Sequence, residues 1–236
     1  MVEPLVIDSH LHLFKKREYG VLDKINYEVW EYGIQEGITF SSFDGDITDT
    51  LQAMDQAGAQ KAVVVNLFSP SLALPQAIME LPPGLNDEQK TLSIKEINAS
   101  MPQLLKESNE WTCQIAREHP QLVPFIALDP SILTASEMES HIKEMADRGA
   151  RGVKMHPVLQ NIYMHDERML RVWETARELG FSIIAHSGPS KGDPQYAEPD
   201  AFSQILTALP GLPIVLAHMG GGGAWRQCLD IAQAFP

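Results

Sequence analysis

Four apolar runs in this chain end in histidine, and their placement constrains the fold more than any other feature. They are Leu5-Val6-Ile7-Asp8-Ser9-His10-Leu11-His12, Gly152-Val153-Lys154-Met155-His156, Phe181-Ser182-Ile183-Ile184-Ala185-His186 and Pro213-Ile214-Val215-Leu216-Ala217-His218. His156 precedes His186 by 30 positions and His186 precedes His218 by 32. About 30 residues is one strand-helix-strand step, so the last three histidines occupy equivalent places in successive units.

Helical periodicity fills the intervals. Leu170, Trp173, Ala176 and Leu179 share one helix face before Gly180; Met138, His141, Ile142 and Met145 do so before Gly149; Ile47, Leu51 and Met54 do so before Gly58. Near-continuous apolar strands alternating with amphipathic helices predict parallel strands covered by helices. Strands are expected near 5–13, 61–66, 123–129, 152–157, 182–187 and 213–219, ending at His12, Asn66, Asp129, His156, His186 and His218. In parallel α/β folds, and above all in the eight-stranded barrel, the active site is built at those carboxyl ends.

The first run carries its own chemistry. Side chains alternate along a strand, so Asp8, His10 and His12 are expected on one face, where two imidazoles can bind one metal ion. An isolated His-x-His is as often a plain strand pattern. Three further histidines at equivalent strand ends favour the metal site.

The motifs Ile7-Asp8-Ser9-His10-Leu11-His12, Gly152-Val153-Lys154-Met155-His156-Pro157, Ala185-His186-Ser187-Gly188 and Leu216-Ala217-His218-Met219-Gly220-Gly221 occur in an order and spacing that resembles the amidohydrolase 2 branch of the metal-dependent amidohydrolase superfamily. The resemblance runs from the first strand to the sixth. It implies an α/β, TIM-like (β/α)8 barrel with one or two divalent metals at its carboxyl-end mouth. By match, His10 and His12 resemble the first-strand metal ligands and His186 the fifth-strand ligand. His218 resembles the sixth-strand histidine that contacts substrate or moves protons. The family also has an aspartate after its eighth strand, for which this chain has no position. Six strand-helix units are visible, so residues 1–236 are expected to form a single metal-dependent hydrolase domain lacking strands seven and eight.

Three neutral imidazoles leave a coordination place open and suit zinc best, with manganese or iron as alternatives. Such an ion polarises a carbonyl and lowers the pKa of bound water to about 7. Lys154 and His156 share a strand face by alternation, which makes them catalytic candidates beside His218. Three readings stand for Lys154: an anchor for a substrate carboxylate, a strand-end ion pair with Asp8 or Asp129, and a carbamate bridging two metals as in some relatives. The first two are preferred, because a single-metal site needs no bridge. His119, His141 and His165 fall in or beside helical patterns and are given no catalytic role. Gly220 to Gly223 could present backbone N–H groups to an anion or simply allow close packing.

Composition excludes other classes. Net charge is −13, from 31 acidic and 18 basic residues, and a phosphate backbone would meet a repulsive field. No run of 18 apolar residues can span a bilayer, and the first strand starts at Leu5, so no nucleic-acid or membrane partner and a cytoplasmic location are expected. Cys113 and Cys228 lie far apart in helical patterns and are expected as reduced packing residues. Two excursions break the rhythm. Residues 15–44, with Tyr19, Tyr27, Trp30, Tyr32, Phe40 and Phe43, suit a substrate lid; residues 68–89 are rich in proline and lead into one long helical pattern from Thr91 to Glu118. A homo-oligomer contact is the alternative use of either.

The leading expectation is a metal-dependent hydrolase acting on an amide, ester or lactone bond of a small carboxylated molecule. A metal-dependent non-oxidative decarboxylase is the alternative, and a catalytically inactive metal-binding relative ranks third.

Overall fold

β1 (Ile7–Leu11), β2 (Lys61–Val65), β3 (Leu122–Ala127), β4 (Gly152–Met155), β5 (Ser182–His186) and β6 (Ile214–Ala217) form one six-stranded sheet in sequence order, every neighbouring pair parallel. A computed structural model describes residues 5–25, 42–188, 190, 192–221 and 223–236 of the chain. Helices separate the strands: α1 (Arg17–Asp23), α2 (Ile47–Ala57), α3 (Pro70–Met79), α4 (Asp87–Ala99), α5 (Met101–Glu118), α6 (Ala135–Asp147), α7 (Pro157–Gln160), α8 (Glu167–Glu178), α9 (Pro199–Ala208) and α10 (Trp225–Ala234). The sheet curls as a partial TIM barrel, as expected.

Alternation along the strands divides the apolar residues between two sides. Ile126, Val153 and Ile183 join Met138, Ile142 and Trp173 in the large core beneath the helices. Val65, Phe125, Ile184 and Ala217 form a smaller cluster inside the curl. Gly152 is required where these layers meet, because a Cβ there would lie 2.3 Å from the Phe125 ring and 2.4 Å from the Ser182 carbonyl oxygen. The edges are less covered. Ile7 on β1 and Val215 on β6 are each 50% exposed, so both outer strands present apolar surface to solvent.

The expected core faces hold with two adjustments. On α6, Met138, His141, Ile142 and Met145 are all buried as the period predicts. On α8 the buried face is Met169, Val172, Trp173 and Ala176, one position away from the expected stripe at its ends, and Leu179 is 38% exposed. The pattern from Thr91 to Glu118 is two helices, broken at Ser100. Pro102 explains the break: it has no N–H to donate to the Asn98 carbonyl, so it is accommodated in the first turn of α5.

The proline-rich excursion contains α3, with Pro70 in its first turn. The earlier excursion contains α1, fastened to its surroundings by Lys16 Nζ on Glu80 at 2.6 Å, Arg17 on Asp44 at 2.6 Å and Lys24 on Asp44 at 2.9 Å. Tyr27, Trp30, Tyr32 and Phe40 of the expected lid lie outside the described residues. Cys113 and Cys228 are buried and unpaired with each other. Among the described residues no helix is long and apolar enough to cross a membrane.

Candidate metal centre

The strand ends bring five imidazoles into one connected group. His10 lies 5.2 Å from His12 and 5.0 Å from His218 between ring centroids; His186 lies 5.1 Å from His218 and stacks on His156 at 4.0 Å. Parallel pairing explains the stack: Met155 is registered with Ala185, so the next residues of β4 and β5 leave the sheet side by side.

The register of β1 is irregular between Asp8 and Leu11, where three steps on β1 match two on β2. A bulge of this kind re-aims side chains and breaks simple alternation. His10 and His12 remain neighbours, but Asp8 is exposed, and its Oδ1 accepts from the His10 backbone N–H at 3.0 Å. The shared face of His10 and His12 therefore does not extend to Asp8.

Electrostatics keep the cluster neutral. Burial, with the Lys154 charge nearby, lowers His10, His12 and His186 to about 3, and burial with His186 and Lys154 lowers His156 to about 2. His218 is lowered by burial and then by Lys154. His12 and His218 keep solvent-facing sides, so water tempers the shift most at these two. Lys154 itself is 2% exposed and is lowered to about 7 by desolvation. Among the described residues it forms no ion pair, so the expected strand-end pair with Asp8 or Asp129 is not formed. Asp129 is buried at the end of β3, where Ser131 binds its Oδ1 through backbone and hydroxyl.

The donor set fits a divalent metal in chemistry. Neutral imidazoles keep a lone pair for a cation, and the buried Nε2 of His186 has no hydrogen-bond partner. Backbone hydrogen bonding at Val65 and Gly188 acts on His12 and His186, an arrangement that orients ligating rings. Among the described residues no three His, Cys, Asp or Glu side chains converge closely enough to hold an ion as they stand. Ligation therefore requires the rings to turn towards a common point. His156 differs from the others, since its Nδ1 accepts from the Leu159 N–H at 3.3 Å and caps α7.

Sequence reasoning passed over Ser187. His218 and Met219 are non-glycine residues at φ 65° and 47°, followed by Gly220 at 72°, so β6 ends in a left-handed turn that other structure must hold. Ser187, fully buried, donates its hydroxyl to the Ala217 carbonyl at 2.6 Å and accepts from the Gly220 N–H at 3.0 Å. Gly188 permits the approach: a Cβ there would sit 2.4 Å from the Gly220 and Gly221 backbone. The Ala-His-Ser-Gly string placed this hydroxyl beside His186, but only the neighbouring turn reveals what it binds.

Ser187→Ala leaves the buried Gly220 N–H unpaired, while the Ala217 carbonyl keeps the Ser187 backbone N–H at 3.3 Å, so a loss of about 1–3 kcal/mol is expected in chemical denaturation. The His218 ring signals in NMR should shift with it. Unchanged His218 signals would mean that the turn is held by other contacts.

Comparison with known proteins agrees with this geometry. The profile of the amidohydrolase family Amidohydro_2 matches residues 7–236. A TIM-barrel protein of unknown function from Bordetella bronchiseptica superposes with a TM-score of 0.69 at 19% identity, covering 99% of this chain and 73% of the other. The 5-carboxyvanillate decarboxylase from Novosphingobium aromaticivorans, complexed with manganese and 4-hydroxy-3-methoxy-5-nitrobenzoic acid, gives 0.60 at 16%, covering 98% and 70%. The Metarhizium anisopliae IDCase gives 0.60 at 14%, covering 97% and 70%. No curated protein matches in sequence. At these identities the superpositions speak for the barrel fold, and the profile match over residues 7–236 places the chain in the metal-dependent amidohydrolase family.

Proposed function

We propose that this chain is the catalytic barrel of a zinc-dependent hydrolase that cleaves an amide, ester or lactone bond in a small carboxylated molecule. The observation that carries the reading is the group of neutral imidazoles at the strand ends, with the His186 Nε2 buried and unpartnered. His10, His12 and His186 would hold the ion, with manganese or iron as alternatives. When bound, such an ion supplies Lewis acidity to the reacting carbonyl.

The chain's own residues do the rest. His218 is neutral at pH 7 and faces the open side of the cluster, so it can receive a proton and return it to the leaving group. Lys154, with a pKa of about 7 and no carboxylate partner among the described residues, can bind a substrate carboxylate as a cation. The same burial leaves part of the amine neutral, the form a carbamate needs, so the preference for the anchor rests on the single-metal site, which requires no bridge. His156 stacks against His186 and limits how that ring can turn.

Non-oxidative decarboxylation is the second reading, favoured by the structural likeness to a manganese-bound decarboxylase. The exposed outer edges of β1 and β6 support a barrel that is closed by two further strands lying between them. A cytoplasmic, small-molecule enzyme is the setting this reading implies.

Two measurements test it. Protein purified without chelator should contain a divalent transition metal that is lost in the double variant His10→Ala/His12→Ala; folded protein that is reproducibly metal-free refutes the reading. Metal-loaded protein is then screened in H2-18O against lactones, esters and amides of small carboxylic acids, and against 13C-carboxylate acids. Incorporation of 18O into product marks hydrolysis, whereas release of 13CO2 marks the decarboxylase.

A further inference from the structure

A cavity of about 320 Å³ opens beside His12, walled by α3 and α5 and floored by the end of β2. Its surface is mainly apolar, with Phe14, Phe68, Leu72, Leu104 and Trp111 among its walls. A dry cavity of about 150 Å³ takes benzene, so this volume suits a group of bicyclic size.

The charges around it are mostly acidic. Asp23, Glu80 and Glu107 line it against Lys15 as the single cation among the described lining residues. Glu80 is paired with Lys16 and the Tyr19 hydroxyl, which offsets its charge, and Glu107 accepts from Gln103 at 2.8 Å, so the described lining offers an entering anion no net positive charge. A carboxylate entering here would lose its water among apolar walls without gaining a net positive partner, which is unfavourable.

The polar groups deeper in the cavity are occupied with one another. Asn66 donates to Ser108 Oγ at 3.0 Å and to Asn109 Oδ1 at 2.8 Å, and Ser108 donates back to Asn66 Oδ1 at 3.1 Å. Asn109 in turn pins α5 to both backbone groups of Ala127. An apolar guest therefore leaves no buried donor or acceptor stranded at Asn66 or Ser108. Gln76, on the α3 wall, can meet a hydroxyl or carbonyl on such a guest.

We propose that this cavity receives the non-reacting arm of the substrate, and that the arm is an uncharged, largely apolar group of up to bicyclic size rather than a second carboxylate. The assignment rests on the proposed reaction site at the histidine cluster: the reacting end lies there and the arm extends past His12 between α3 and α5. Discrimination against dianionic molecules follows from the apolar walls and the lack of a net positive charge in the described lining.

The test uses the full chain and two probes that differ by one charge, 2-naphthol and 6-hydroxy-2-naphthoate, titrated by calorimetry and by NMR of the Trp111 indole N–H. That signal is identified by its absence in Trp111→Phe. Naphthol should bind about tenfold or more tightly than the naphthoate, a difference of about 1.4 kcal/mol, and should shift the Trp111 signal. Ala77→Leu, which projects into the cavity, should weaken naphthol by a similar factor. Glu107→Lys, at an exposed position on α5, should narrow the gap between the probes.

In chelated Lys154→Met protein, where the proposed carboxylate anchor and the metal are both removed, equal or tighter binding of the naphthoate overturns the proposal, as does naphthol binding that leaves Trp111 unshifted or persists unchanged in Ala77→Leu. Repeating the titration after chelation separates this result from the metal reading. Naphthol binding that survives in protein shown to be metal-free supports the arm site and refutes only the proposed metal chemistry, whereas lost binding with metal retained refutes only the arm site.

Discussion

His218→Ala should reduce turnover by about 10²–10⁴-fold while most of the bound metal stays in place. The magnitude is that of a positioned proton-transfer group. The separation of activity from metal content follows from where the ring stands: it faces the open side of the cluster on a left-handed turn, within 5.0 Å of His10 and 5.1 Å of His186. Elemental analysis alongside single-turnover rates on the substrate found by the isotope screen reads both quantities. If metal falls in step with activity, His218 is a ligand and the proton-transfer role must move to another residue. A rate within a few-fold of the parent would remove it from the chemistry altogether.

The metal-free protein should lose stability steeply as the pH falls below about 6.5. His156 and His186 carry this effect: they are 2% and 8% exposed and lowered to about 2 and about 3, chiefly by burial. Their folded pKa values lie below the unfolded value, so the unfolded chain binds more protons below pH 6.5. Stability is then fully present above that pH and declines towards the folded values. Each such imidazole contributes a slope approaching 1.4 kcal/mol per pH unit, so the two together remove about 2–3 kcal/mol between pH 6 and pH 5. That is a large share of the roughly 5–15 kcal/mol that holds a domain together.

His141, buried and also lowered by desolvation, acts in the same direction. Asp129 opposes them: burial raises its carboxyl, so acid relieves the cost of its charge. Urea denaturation at pH 7, 6 and 5 in chelator measures the balance. A flat profile would show that these rings gain protons in the folded state without penalty. Added zinc should steepen the decline, because the metal requires the same neutral imidazoles and is displaced by protons.

Much of this was legible before any fold was known. Apolar runs ending in histidine at about 30-residue intervals, with Met138, Ile142 and Met145 on one helical face, lead directly to a parallel sheet covered by helices. The periodicities arise from backbone geometry, which depends on residues a few positions apart. For the same reason His10, His12, His156, His186 and His218 could be placed at one end of the sheet. Local patterns also misled where a single residue changed the chain's path: Pro102 splits the long helical pattern, and the bulge between Asp8 and Leu11 separates Asp8 from the histidine face.

The tertiary structure alone decided what depends on several segments at once. Ser187 acquires its role only when the turn after β6 lies against β5. The solitary burial of Lys154, the orphaned His186 Nε2 and the cavity between α3 and α5 depend on which strands are neighbours and how closely their helices pack. Sequence determined the order of the parts and the chemistry at their ends, because both follow from local backbone geometry and residue type. Solvation, pKa and cavity shape are collective properties of packing, and they became readable only when distant segments were brought together.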